Sequence, residues 1–249
     1  MTTTPAAVAG LVAVGRGGRV AVGVFGALCF HEYSGLVALH TTPPPGIFGY
    51  AAGLLVLLLP GNSTAFVILI ALLALALGLR ARELSETLPF AASLVFGVLY
   101  VFGALRAGVE LRDRSVYWLL FALSLNWVGD IAALYIGKAL GRHKLSSRIS
   151  PGKTWEGAIG SMLASIAYGA IFFPKLLPAV PLAQGLAIAA IGTVAGQIGD
   201  LAESAIKRGA GVKDSGTLLP GHGGWLDRLD SSLFALPVIY FLLINLGMQ

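Results

Sequence analysis

Charged residues are scarce in this chain. Only 12% of its 249 residues are Asp, Glu, Lys or Arg, whereas 56% are hydrophobic, and the mean hydropathy is +0.82. Soluble globular domains carry roughly 25% charged residues, so this composition excludes an ordinary water-soluble domain and favours the lipid bilayer as solvent. No segment is typical of a nucleic-acid-binding module, and we expect no nucleic-acid partner.

Cysteine is almost absent as well. Cys29 stands alone in an apolar run, so no intrachain disulfide can form. The first residues, MTTTPAAVAG, lack the basic stretch that opens a secretory signal, and we expect no cleavage there. The net charge of +5 indicates basic cytoplasmic loops in a membrane protein.

Long apolar runs recur along the chain, and a membrane-spanning helix needs about 20 mostly apolar residues. The runs predict an all-α polytopic membrane protein with about eight transmembrane helices, within a range of seven to nine. We expect one domain over residues 1–249, with N-terminal helices in 1–115 and a catalytic half in 116–249. The predicted spans are Val20–Leu39, Ile47–Leu59, Thr64–Leu79, Leu88–Leu105, Val116–Leu140, Ala158–Phe173, Leu182–Ile206 and Leu229–Leu246.

Basic residues concentrate in two polar connections, 141–156 and 207–230. An even number of predicted spans separates these connections, so both lie on one side of the membrane. The positive-inside rule places that side in the cytoplasm. We therefore expect an integral protein of the inner (cytoplasmic) membrane whose polar site faces the cytoplasm. Arg106–Arg114, interpreted as a connection on the opposite side, is also basic and argues against this orientation.

Polar side chains near the end of the seventh predicted span share one helix face. At about 100° per residue, Asp200, Glu203, Ser204 and Lys207 all project to the same side. Two carboxylates one turn apart offer the oxygen ligands that Mg²⁺ prefers, and a lysine suits a phosphate. The alternative is an internal ion pair that only neutralises charge.

The following segment is rich in glycine and in charges of both signs. Asp227 and Asp230 stand three residues apart at the entry to the last span, where they suit a divalent ion that bridges phosphates. Glycines around His222 allow backbone N–H groups to approach an anion closely. The alternatives are helix capping for the aspartates and a purely structural loop histidine.

The connection 141–156 contains the motif RISPGKTWEG. Ser150, Lys153 and Thr154 offer two hydroxyls and a positive charge to a phosphate. A Walker A loop is excluded because its glycine spacing is absent and no strand is predicted before it. A surface turn whose Ser150 or Thr154 caps the next helix explains the motif equally well.

Two further polar groups interrupt apolar runs. Asn126 and Asp130 lie four residues apart on one helix face, where a buried aspartate needs a cation or metal. A structural hydrogen bond between helices is the alternative. His31, Glu32 and Tyr33 end the first span, and we interpret them as an interfacial anchor with Tyr33 at the lipid headgroups.

The segment SAIKRGAGVKDSGTLLPGHGGWLDRLD resembles the signature of the phosphatidate cytidylyltransferases (CDP-diglyceride synthases). The SPGKTWEG loop, the Asp130 helix and the Glu32-Tyr33 pair also resemble that family, whereas Trp225 replaces its usual aliphatic residue. The matching signature positions are Ser204, Lys207, Arg208, Lys213, Asp214, Gly216, Leu219, Pro220, His222, Gly223, Gly224, Asp227, Arg228 and Asp230.

The resemblance implies that CTP and phosphatidate react to give CDP-diacylglycerol and pyrophosphate, a step of phospholipid biosynthesis. It also implies dependence on Mg²⁺, with a second cation such as K⁺ as an option. The expected partners are CTP, phosphatidic acid and membrane lipid, and a homodimer stays open. A CTP-dependent polyprenol or phytol kinase and a secondary transporter are the alternative functions.

The site residues are assigned in three groups. The residues expected to be catalytic are Lys207, Arg208, Lys213, Asp214, His222, Asp227, Arg228 and Asp230. The residues expected to bind substrate are Ser150, Pro151, Lys153, Thr154, Glu156, Ser204, Gly223 and Gly224. The residues expected to hold the metal are Asp200, Glu203, Asp227, Asp230 and, as a weaker choice, Asp130.

Overall fold

The computed structural model describes residues 16–40, 42–58, 63–81, 83–218, 221 and 223–248, most of which are helical. Short 3-10 turns lie at Leu84–Glu86 and Leu226–Arg228, and a π-helical segment, Val98–Gly103, joins α4 to α5. The described residues form nine α-helices: α1 (Arg16–Leu39), α2 (Gly46–Leu58), α3 (Ser63–Gly78), α4 (Thr87–Gly97), α5 (Ala104–Arg114), α6 (Val116–Leu140), α7 (Trp155–Leu176), α8 (Leu182–Gly209) and α9 (Asp230–Asn245).

Each predicted apolar run coincides with a helix, which confirms the all-α membrane class and identifies an integral membrane protein. Among the described residues, five helical stretches are long and apolar enough to cross a membrane: Gly18–Leu39, Leu84–Arg114, Val116–Leu140, Trp155–Leu176 and Leu182–Gly209. Three further apolar helices are shorter: Gly46–Leu58, Thr64–Gly78 and Asp230–Asn245. The number of eight crossings therefore stays a prediction.

Two polar segments that were predicted as irregular connections have regular structure. Arg106–Arg114 belongs to α5, because Ala, Leu, Arg and Glu are good helix formers and carry the helix onward. The connection 141–156 contains two antiparallel strands, β1 (Lys144–Ser146) and β2 (Ser150–Thr154). The expectation of no strand here was wrong, because strands this short and polar lack the alternation that reveals strands.

The chain divides into two compact units. Unit 1 comprises Met1–Arg106 and Ile206–Leu229, and unit 2 comprises Ala107–Ala205 and Asp230–Gln249. The glycine-rich part of the signature thus groups with the N-terminal helices rather than with the rest of residues 116–249. The prediction of one domain over the whole chain stays a prediction.

Aromatic side chains form the core of unit 1. The buried Phe30 ring of α1 lies 4.9 Å from the ring of Tyr50 and 5.4 Å from that of Phe102. Gly53 of α2 allows this packing, because a Cβ at that position would overlap the Phe102 ring. The close approach of α2 to the π-helical segment therefore requires glycine, which has no side chain, at position 53.

In unit 2, α6 packs along α7 and against α9. The Phe121 ring lies 4.6 Å from that of Phe173, between α6 and α7. Asn126 is buried, and its Nδ2 donates a hydrogen bond to Ser232 Oγ at 3.2 Å, which joins α6 to α9. The contacts of Asn126 thus support the alternative of a structural hydrogen bond between helices.

Gly53→Ala should destabilise the protein by about 1–3 kcal/mol, because the new methyl group overpacks against Phe102. Thermal unfolding in detergent would measure the change. Gly35→Ala is the matched control, since nothing lies within 4 Å of a Cβ added there. Equal unfolding temperatures for the two variants would contradict this packing.

Candidate active site

Asp227 ties the glycine-rich segment of unit 1 together. Its Oδ1 forms an ion pair with Lys207 Nζ near the end of α8. Its Oδ2 accepts hydrogen bonds from Ser215 N at 2.9 Å, Ser215 Oγ at 2.9 Å and Gly224 N at 2.8 Å. The Lys207 and Asp227 side chains are only 10% and 12% exposed. These contacts hold both ends of the segment 207–227 in one place.

The electrostatics around Asp227 keep it charged. Burial by itself raises the pKa of this carboxyl, but the hydrogen bonds from Lys207, Gly224 and Ser215 and the lysine charge outweigh burial. The pKa of Asp227 is therefore lowered from its ordinary value. The side chain is ionised at neutral pH, which is the form that an ion pair or a metal ion requires.

Gly223 and Gly224 shape the turn around this carboxylate. Gly223 has a φ of +77°, in the left-handed region that side chains disfavour. A Cβ on Gly223 would also lie 2.8 Å from Asp227 Oδ2. The turn was predicted to present backbone N–H groups to an anion, and in the structure the N–H of Gly224 binds Asp227. Substrate binding by the two glycines stays a prediction.

From the sequence, Glu32 was interpreted as part of an interfacial anchor and was not assigned to the site. Its side chain is 4% exposed, and its carboxylate accepts hydrogen bonds from the glycine-rich segment of unit 1. The interfacial-anchor interpretation was wrong for Tyr33 too, which is 3% exposed and donates to Ser93 O at 2.8 Å. The signal that could have identified Glu32 is a carboxylate inside an apolar helical run, which requires a partner.

Other charged signature residues of unit 1 lie at its surface. Arg208, Lys213, Asp214 and Arg228 are all exposed. Arg208 Nη1 donates to Val212 O at 3.0 Å, so it also supports the loop after α8. Exposed cations can reach anionic ligands, but the catalytic roles of these residues stay predictions. His222 lies outside the described residues.

Unit 2 contains a cavity of 370 Å³ beside the β-hairpin, lined by polar residues of several elements. Lys153 of β2 forms an ion pair with Asp200 of α8, with Nζ and Oδ2 2.5 Å apart. Asp130 of α6 and Gln197 of α8 line the same cavity. A cavity that combines two carboxylates from apolar helices with a lysine from the hairpin is typical of a ligand or ion site.

The hairpin residues have unequal roles in unit 2. Thr154 caps α7, since its Oγ1 accepts a hydrogen bond from Gly157 N at 3.1 Å, so its capping alternative is confirmed. Glu156 pairs with His143, whose Nδ1 lies 2.6 Å from Oε1. Ser150 and Pro151 lie in β2 at least partly exposed. Substrate contacts by these residues stay predictions.

The predicted metal ligands fall in both units. Asp227 belongs to unit 1, and the other four carboxylates belong to unit 2. Ser204 Oγ lies 3.5 Å from Asp200 Oδ1, and Glu203 is fully buried at 0% exposure. Asp230 begins α9 and accepts a hydrogen bond from Ser231 N at 2.6 Å, in agreement with the capping alternative.

The donor chemistry of the unit 2 cavity fits a hard divalent cation. Asp130 and Asp200 supply carboxylate oxygens to one cavity, the ligand type that Mg²⁺ prefers. Across the described ranges, however, no three His, Cys, Asp or Glu side chains are grouped closely enough to hold a metal ion. The metal assignment therefore stays a prediction.

Comparison with known proteins decides the family. Residues 2–246 match the cytidylyltransferase family. The chain belongs to this family. It is 36% identical over 209 residues to the phosphatidate cytidylyltransferase of Staphylococcus saprophyticus. The alignment covers 81% of the chain and 80% of the relative. The chain is 37% identical over 211 residues to the phosphatidate cytidylyltransferase of Staphylococcus aureus (strain COL), with the same coverage.

A relative from another genus has the same name as the two staphylococcal proteins. The phosphatidate cytidylyltransferase of Bacillus subtilis (strain 168) is 40% identical over 153 residues, which is 60% of this cytidylyltransferase and 57% of the relative. The resemblance inferred from the signature residues is thus confirmed.

Lys153→Met and Asp200→Asn should each destabilise this cytidylyltransferase, because each leaves its partner's charge uncompensated in the cavity. The double variant should be more stable than the sum of the single effects predicts, by about 0.5–3 kcal/mol. Denaturant unfolding of the four proteins in detergent would measure this coupling. Strictly additive effects would contradict the ion pair.

Proposed function

We propose that this cytidylyltransferase transfers the cytidylyl group of CTP to phosphatidic acid, giving CDP-diacylglycerol and pyrophosphate in phospholipid biosynthesis. Relatives that carry the name phosphatidate cytidylyltransferase match about four-fifths of the chain. The proposal depends on one observation. In this membrane protein, buried polar contacts hold the signature segment 207–228, which also contains exposed cations.

The chemistry requires positioning more than proton transfer. A phosphatidate phosphate oxygen attacks the α-phosphorus of CTP, and the bond from this phosphorus to the bridging oxygen of the β-phosphate breaks. The phosphate nucleophile is already anionic at neutral pH, so no strong general base is needed. The barrier lies in bringing two polyanions together and stabilising the leaving pyrophosphate, for which oriented positive charge is the natural catalyst.

The lysines and arginines of both units would supply this charge. Arg208, Lys213 and Arg228 of unit 1 are exposed and would bind CTP or phosphatidate phosphates. In unit 2, Lys153 lines the cavity beside the hairpin and would bind a phosphate there. Ser150 and Thr154 would contribute hydroxyl donors there, although Thr154 Oγ1 already caps α7.

Mg²⁺ is proposed as the cofactor. When bound, it would neutralise charge on the triphosphate and on the leaving pyrophosphate. In unit 2, Asp130 and Asp200 would hold it, because both carboxylates line one cavity. Glu203 and Asp230 are the other proposed ligands of this unit. Asp227 of unit 1, whose Oδ1 Lys207 contacts, is a further proposed ligand. Lys207 would bind a phosphate of CTP or phosphatidate as a point charge.

We place the reaction at the cytoplasmic face of the cell's inner membrane. The support is charge distribution: the sequence stretches 141–156 and 207–230 each contain four lysines and arginines. CTP is a cytoplasmic nucleotide, whereas phosphatidate arrives within the lipid, so the site needs access from both. The family and the named relatives give no support to a lipid kinase or a transporter.

Asp227→Asn and Asp230→Asn should each abolish formation of CDP-diacylglycerol from CTP and phosphatidate. Loss of the Asp227 charge removes a proposed metal ligand and the partner of Lys207. Purified protein in detergent would be assayed with labelled CTP, with and without Mg²⁺ and phosphatidate. Released pyrophosphate, rather than CDP, would distinguish transfer from kinase activity.

Asp113→Asn is the matched control for these variants. Asp113 is part of an ion pair with its neighbour Arg112 and belongs to none of the proposed binding groups. Removal of such a partly exposed pair costs about 0–1 kcal/mol, so activity should persist. Near-normal turnover of folded Asp227→Asn and Asp230→Asn would refute the metal assignment.

A further inference from the structure

A buried carboxylate lies within the glycine-rich segment of unit 1 and comes from a distant helix. Glu32 of α1 is 4% exposed. Its Oε1 accepts a hydrogen bond from Trp225 N at 3.0 Å, and its Oε2 accepts from Leu226 N at 2.8 Å and Ser215 Oγ at 2.9 Å. Two backbone N–H groups that directly follow Gly223 and Gly224 thus bind the chain's own carboxylate.

Two glycines make room for this side chain. A Cβ on Gly216 would lie 2.7 Å from Glu32 Oε1, and a Cβ on Gly224 would overlap Glu32 Oε2. The loop can therefore close around Glu32 only where side chains are absent. The T-shaped contact between Trp225 and Phe25, with ring centroids 5.0 Å apart, holds the same turn against α1.

Ser215 connects Glu32 to Asp227. Its Oγ lies 2.9 Å from Glu32 Oε2 and 2.9 Å from Asp227 Oδ2. A hydroxyl group has one proton, so it donates to one of the two carboxylates at a time. The position of Asp227 is therefore coupled to that of Glu32 through one shared donor and through the turn 224–226 that both carboxylates bind.

We infer that Glu32 is a positioning residue for cytidylyl transfer. Its carboxylate anchors the turn 224–226 and, through that turn and Ser215, holds Asp227 in the orientation that meets Lys207. This inference rests on the proposed function for its catalytic part, while the anchoring of the loop can be tested without any turnover. In this role Glu32 acts through Asp227 and the turn 224–226.

Glu32→Gln is the most informative substitution because it preserves size. The amide keeps one oxygen, but its NH₂ group must face at least one of the three donors that now meet the carboxylate. Loss of a group that orients a metal ligand typically costs roughly 10- to 100-fold in activity or metal affinity. We expect a fall in kcat of that size and a rise in the Mg²⁺ concentration that gives half the maximal rate.

The experiment combines kinetics with hydrogen exchange on the full chain in detergent. Amide exchange of peptides that cover residues 213–228 should accelerate in Glu32→Gln. Glu83→Gln is the matched control, because Glu83 is exposed in unit 1 and its described side-chain contact is with Ser85. If Glu32→Gln does not fold, Ser215→Ala removes the hydroxyl shared by Glu32 and Asp227 and tests the coupling between them, with a smaller change in the same direction expected.

Hydrogen exchange tests whether Glu32 anchors the loop, and the kinetics test whether it positions Asp227 for catalysis. Faster loop exchange with a higher Mg²⁺ requirement supports the inference. Unchanged exchange overturns the anchor, and faster exchange with unchanged kinetics per folded molecule overturns the positioning role. A lower active fraction with an unchanged Mg²⁺ requirement indicates a merely structural residue and also overturns that role. A wild-type protein that makes no CDP-diacylglycerol overturns the proposed function, and exchange alone then decides the anchor.

Discussion

Carboxylates buried in a mostly apolar protein must be given donors, and this constraint organises the polar half of the molecule. Desolvating a charged group costs far more than a single hydrogen bond returns, so each group collects several partners. Asp227 has a lysine and two backbone N–H groups, Glu32 has two other backbone N–H groups, and the two carboxylates share the Ser215 hydroxyl. The glycine-rich segment takes its shape from these two centres.

The same constraint explains how the basic residues are distributed. Lys207 and Lys153 are each paired with a carboxylate, one in unit 1 and one in unit 2. Arg208 and Lys213 are exposed. The paired lysines compensate charge within the protein, whereas the exposed cations face the medium from which a nucleotide would come. A family that joins two polyanions needs both kinds of positive charge.

Glycine has different roles in the two environments of the chain. In the helices, Gly53 permits close packing against an aromatic ring, as small residues commonly do between membrane helices. In the loop, Gly216 and Gly224 admit the Glu32 carboxylate, and Gly223 supplies a left-handed turn. Of these four glycines, the three in the loop position charged groups, so substitutions there affect the site as well as the packing.

The sequence by itself determined the membrane class, the positions of the apolar helices and the family, because apolar runs and a dense charged signature are local patterns. The tertiary structure alone revealed the hairpin from Lys144 to Thr154, the pairing of Lys153 with Asp200 and the anchoring role of Glu32. Glu32 stands 194 positions before Leu226, whose N–H it binds. No local pattern encodes such a contact, because the donors come from a turn that only the folded chain brings to α1.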